Sequence, residues 1–333
     1  MQRVVTDRSA KPGSEPPQPR ASGRINVRRV IAAGAVAVAV IAAVLLVPQG
    51  WRSGDSNPAP PRTEPSESSS PDFPTAATTG VPAGWQPTQE KTGEYTIFEE
   101  GAVVEDLRLT DGILFIRARN VTLRRVELID SRIINDYGRD CFNGLRIEET
   151  SILRGPSDVG QPAVQAGGYT AVRVKMDGVS EGFRISEKEI GCEPVVIEDS
   201  WLRLAPPDDC HDPDLWHGDG IQGYLGPPVT VRNTYVNLDQ TDDCPGTAAF
   251  FYPDQGNSRA VVENLLVEGG PYVFRLGTPG TVRGLKVVEG SWMYGAVDIT
   301  DCSSVDWGEG NEVVQVGADG SLKTVGPLKC GTG

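Results

Sequence analysis

The sequence predicts an all-β protein coiled as a parallel β-helix with three strands per rung, and three observations carry that prediction. From about Thr92 onward, short Val, Ile and Leu-rich runs recur between Gly and Asp turns, with no sustained helical spacing. Eight of these runs fit one template, apolar or small at x, x+2, x+5 and x+7. Further short strands fall between the copies, so each repeat holds two strands joined by a tight bend and a third that closes the turn.

The eight copies begin at Ala102, Val121, Leu145, Val172, Val195, Val229, Ala260 and Gly280, with spacings of 19, 24, 27, 23, 34, 31 and 20. The fourth reads Val172–Val174–Asp177–Val179. Position x+5 is often small or polar, as with Thr150, Ser200 and Thr234. The third-strand segments are 163–168, 182–186, 220–225, 248–253, 272–277 and 295–300. An antiparallel sandwich is the competing fold, but it calls for hairpin dipeptides every 8 to 12 residues, and these are scarce.

The N-terminal third has a different character. Residues 1–29 carry seven Lys or Arg and two Asp or Glu, a basic tail expected to stay in the cytoplasm. Val30–Val47 is a run of 18 apolar or small residues after Arg24, Arg28 and Arg29, expected to act as a transmembrane signal anchor; cleavage as a signal peptide is the alternative. Residues 48–90 contain nine prolines with many Ser, Thr and Gly, and read as a disordered linker. That leaves 91–333 as an extracytoplasmic domain, expected to be a monomer.

The net charge is −14, and removing the +5 of residues 1–29 leaves −19 for the rest. Such acidity excludes nucleic acid as a partner, and it opposes polyanion binding unless a cation such as Ca2+ bridges the two. All six cysteines lie in the exported part and are expected to be oxidised. Loop lengths favour Cys210 with Cys244 and Cys302 with Cys330, leaving Cys141 and Cys192.

Strand alternation turns the third-strand segments into a ladder. With Val164, Phe183, Ile221, Phe250, Val273 and Val297 inward, Gln165, Arg184, Gln222, Phe251, Phe274 and Asp298 point outward, with Tyr272 beside them. Amides, guanidiniums, carboxylates and aromatic faces suit sugars, so Gln165, Gln222, Tyr272, Phe274 and Asp298 are candidate substrate contacts. Both histidines of the chain, His211 and His217, lie in DDCHDPDLWHGDGIQ, residues 208–222. There HGDG enters a third strand, placing His217 and Asp219 at the groove rim, with Glu181 at the equivalent entrance one rung earlier and Arg184 nearby. His217 is the candidate acid/base, with Asp219 and Glu181 as its partners and Arg184 as a carboxylate-neutralising cation. Asp208, Asp209, Asp212 and Asp214 are weak candidates for a calcium site, lacking a fixed ligand spacing. A solvated acidic loop is the alternative.

With these residues in hand, the exported part resembles the pectate-lyase-like right-handed, single-stranded parallel β-helix superfamily, and more narrowly the anchored or secreted β-helix proteins of actinobacteria. GVPAGWQPTQ, GAVVEDLRL, ARNVTLRRVEL, EGFRI and HGDGIQ carry the likeness over roughly residues 80–320. The resemblance implies a polysaccharide lyase or glycoside hydrolase acting on an extracellular or wall glycan. By analogy with the lyases it points to Arg184 as base with Ca2+ assisting. The aspartate motifs of the hydrolases and the lyases' calcium-binding aspartates on neighbouring strands are absent. A non-catalytic glycan-binding or wall-scaffold module is the other reading.

Overall fold

The computed structural model describes residues 73–156, 161–208, 210, 216–241 and 243–331. Among them, 24 strands join one sheet, and helix is confined to two short 3-10 turns, Lys188–Ile190 and Cys302–Ser304. Every pairing in the sheet is parallel except the last, where Glu312–Val316 meets Leu322–Pro327 antiparallel. Each strand pairs with its counterpart in the next repeat rather than with its neighbour in sequence, a register consistent with a parallel β-helix. A passage through the three ladders of strands makes one rung.

The first two ladders are the template. Val121 aligns with Leu145, Leu145 with Tyr169, and Val195 with Val229, Ala260 and Gly280 in turn. Between the two strands, at x+4, every copy has one residue in the left-handed region: Asp106, Arg125, Glu149, Arg173, Asp199, Asn233, Asn264 and Gly284, with φ between 41° and 65°. That residue makes the bend and lets x+5 point back inward. Where x+5 is a hydroxyl it satisfies itself locally, as Thr150, Ser200 and Thr234 each donate to the carbonyl two residues back. The bend residues also bond along the axis, Asn264 to Asn233 and Asn233 to Asp199.

The fourth copy is corrected by this geometry. Leu145 pairs with Tyr169, not Val172, so the copy is Tyr169–Ala171–Val174–Met176, all within the buried core. The left-handed residue there is Arg173, whereas a start at Val172 would have put Met176 at the bend. Valines made the displaced reading attractive, but an aromatic ring fills the inward position equally well.

All six third-strand segments are strands: Pro162–Ala166, Glu181–Ser186, Asp219–Tyr224, Ala248–Tyr252, Tyr272–Leu276 and Gly295–Asp298. Their inward column is Val164, Phe183, Ile221, Phe250, Phe274 and Val297. Phe274 is therefore not an outward sugar contact: it is fully buried and stacks on Phe250 at 4.8 Å between ring centroids. A one-residue slip exchanges the faces of a strand, and here it gives the outward place to Arg275.

Within the stretch read as linker, residues 73–90 are held on the sheet: Gly80 donates to the Arg173 carbonyl, the Trp85 indole to Asp106, and Gln89–Thr92 is already a strand. The expected tail, the apolar run at 30–47 and most of the linker lie outside the described residues. Among the described residues no helix is long and apolar enough to cross a membrane. Three disulfides join Cys141 to Cys192, Cys210 to Cys244 and Cys302 to Cys330, as the loop lengths suggested.

Candidate functional site

The outward column of the third ladder runs without interruption through nine strands: Thr96, Phe115, Ile134, Gln165, Arg184, Gln222, Phe251, Arg275 and Asp298. Successive members are about 4.8 Å apart, so the column presents polar and aromatic groups along the coil axis at the spacing a polymer can follow.

At its centre two strands open with an acid followed by glycine, Glu181-Gly182 and Asp219-Gly220. The glycines are required by close approach. A Cβ at Gly182 would lie 2.1 Å from the Gly220 carbonyl oxygen, and one at Gly220 would lie 2.2 Å from that of Ala249. Because Phe183 pairs with Ile221, Glu181 and Asp219 hold the same position on adjacent rungs. Both are buried, Asp219 completely and Glu181 to 4% exposure.

Their surroundings differ. The Gln222 amide donates to Glu181 Oε2 at 2.8 Å, and the backbone N–H of His217 donates to the same carboxylate. Among the described residues neither oxygen of Asp219 has a hydrogen-bond partner. Burial above all, then the neighbouring Glu181 charge, pushes Asp219 well above the usual carboxylate range, against the pull of Arg275 and Arg184. Burial also raises Glu181, opposed first by the Gln222 amide, then by the His217 N–H and the charges of His217 and Arg184. The site thus holds two carboxyls of unequal proton affinity, the arrangement that separates an acid from a base.

Cations and rings flank the pair. The Arg184 guanidinium lies 5.3 Å from the Tyr224 ring centroid, and its Nε is buried with no partner among the described residues. Arg275 pairs with Asp298 at 2.8 Å and lies 5.1 Å from the Phe251 ring and 5.6 Å from Tyr272. Burial raises the Tyr224 hydroxyl to about 12, so it is a proton-bearing donor at neutral pH. Arg275 and Asp298 also line a cavity of about 550 Å3, together with Asp254, Asn257, Thr278 and Asp301. On the other side Gln165 donates to Asp136, whose carboxyl is raised by burial.

Of the sequence candidates, Glu181, Arg184, Asp219 and Gln222 come together, with Gln165, Tyr272 and Asp298 on the same face. The His217 side chain is exposed at the rim, and its backbone holds the strand entrance, donating to Glu181 and accepting from the Thr247 hydroxyl. Phe274 leaves the set. Arg275, Tyr224 and Asp136 were missed. Arg275 was signalled by Asp298 one rung on, and Asp136 stands two residues after the ladder position of Ile134. His211, Asp209, Asp212 and Asp214 lie outside the described residues. Asp208 is exposed and reaches Arg154 at 3.4 Å. Among the described residues no group of His, Cys, Asp and Glu is arranged to hold a metal ion.

Fold and site together define an all-β protein of long parallel sheet with a buried acid pair on an outward polar ladder. No family model matches the chain, and no curated protein or solved structure matches it either.

Proposed function

We propose that this chain is a membrane-anchored, extracytoplasmic protein whose right-handed, single-stranded parallel β-helix cleaves a polysaccharide, by glycoside hydrolysis. The observation that carries the reading is the Asp219 carboxyl: buried, without a hydrogen-bond partner among the described residues, and set beside a ladder of groups suited to sugars. A buried carboxyl left without a partner is costly unless it is protonated or met by a ligand.

In this mechanism Asp219, whose burial favours the protonated form, donates its proton to the glycosidic oxygen as the bond from the anomeric carbon to that oxygen breaks. Glu181, which its Gln222 and His217 bonds keep the more acidic of the two, attacks the anomeric carbon as that bond breaks, because carboxyls one rung apart leave no room for a water between them; water then displaces Glu181 from that carbon and gives its proton to Asp219. Arg184 and Arg275 steady the substrate, and the half-buried Tyr224 and Tyr272 offer ring faces. His217 closes the rim. Two carboxyls favour hydrolysis over an arginine-based elimination. Three disulfides and the apolar run at 30–47 support an exported, anchored location.

The test is product formation by the purified full-length protein on a panel of plant, bacterial and wall polysaccharides, with and without Ca2+. The readouts are reducing ends and the ultraviolet absorbance of unsaturated uronates. Reducing ends without absorbance are expected. Absorbance would replace hydrolysis by a lyase reaction, and binding without either signal would make the chain a glycan-binding module.

A further inference from the structure

We propose that a second cavity, beside Arg132, binds the carboxylate of an acidic sugar unit. This rests on the glycan reading of the groove but concerns a site apart from the acid pair. The cavity holds about 180 Å3, enough for part of one sugar ring, and its wall includes Asp130, Ser131, Arg132, Arg154 and Gln161. By register Ser131 precedes Glu181 by two rungs in the same column, about 10 Å along the axis.

Arg132 makes the case. Its Nη1 donates to Gln161 Oε1 at 2.9 Å, and among the described residues no carboxylate lies within ion-pair distance of it. Two arginines on other strands are paired, Arg108 with Glu90 and Glu127 and Arg232 with Glu198 and Glu263. Burial without a counter-charge lowers the Arg132 affinity for its proton, which marks a half-buried cation lacking an anion. Arg154 adds a second guanidinium, its Nη1 on the Pro206 carbonyl and its Nη2 on exposed Asp208. With five donors each, the two forks retain N–H groups for a planar oxyanion. The Asp130 carboxylate on the same wall has a partner of its own and adds negative charge, which opposes a bare multivalent anion and favours the single charge of a sugar acid.

Isothermal titration of the full-length protein with sodium glucuronate, glucose and inorganic sulfate tests this, beside Arg132→Gln, Arg132→Lys and Asp219→Asn. Glucuronate is expected to bind the native protein and Asp219→Asn alike, at least tenfold more tightly than glucose or sulfate. Binding should weaken at least tenfold in Arg132→Gln and only a few-fold in Arg132→Lys. Equal binding of glucuronate by native protein and Arg132→Gln would overturn the proposal, as would sulfate binding as tightly as glucuronate. Binding lost in Asp219→Asn but kept in Arg132→Gln would place the sugar acid at the acid pair, overturning this inference while leaving the hydrolase reading in place.

Discussion

Asp219 stands one rung from Glu181 at the same strand position, and among the described residues only Glu181 of the two has hydrogen-bond donors. That asymmetry turns two similar side chains into groups with different proton affinities, and several consequences can be measured.

Stability should depend on pH through Asp219. Between the usual carboxylate range and its raised folded value, the folded protein keeps a proton that the unfolded chain has released, so stability falls as pH rises through that window. Asp219→Asn removes the charged form. Thermal unfolding from pH 4 to pH 8 should give the variant a Tm that gains on the native protein as pH rises. Parallel Tm curves would mean that Asp219 is not proton-bearing.

Glu181→Gln removes the charge that helps hold Asp219 high while leaving an oxygen to accept from Gln222 and His217. Turnover should drop by about 10²-fold or more, as expected for loss of a catalytic carboxylate. In the residual activity, the limb where the rate falls with rising pH should move to lower pH. An unmoved limb would detach Glu181 from the acid.

Phe274 and Arg275 separate packing from binding. Phe274→Ala deletes a ring stacked in the core and should cost about 3–5 kcal/mol of stability by denaturant unfolding. Arg275→Ala leaves Asp298 unpaired on a half-exposed face and should unfold within about 1 kcal/mol of native while raising KM. The opposite pattern would restore the slipped register.

Gly220→Ala puts a methyl against the Ala249 carbonyl oxygen and the Val236 side chain. Overpacking of this kind should cost about 1–3 kcal/mol. Gly290→Ala is a control with open space around the new Cβ, although its positive φ carries a smaller cost.

The repeat was legible because its inward positions recur at fixed offsets, and seven of eight copies fall at the residues where the sheet aligns them. The fourth slipped by three residues because Val172 and Val174 mimic the template, whereas the side chain that fills the core is Tyr169. Phe274 was misplaced for a related reason: in YVFRL either Val273 or Phe274 can be taken as the inward residue, and only pairing with Phe250 decides. Glu181 and Asp219 could be found as acids before glycine at strand entrances. Their burial could not, since the shielding comes from neighbouring rungs far away in sequence. The same holds for Arg132, whose missing counter-charge is visible only once every ladder neighbour is in place.

The most direct measurement is kcat/KM of Asp219→Asn against the native protein on whichever polysaccharide the native protein cleaves, with the fold of the variant confirmed by circular dichroism. The account predicts a loss of about 10²–10⁴-fold, as for removal of a general acid, in a protein that still folds and binds the polymer. Activity within a few-fold of native would contradict it.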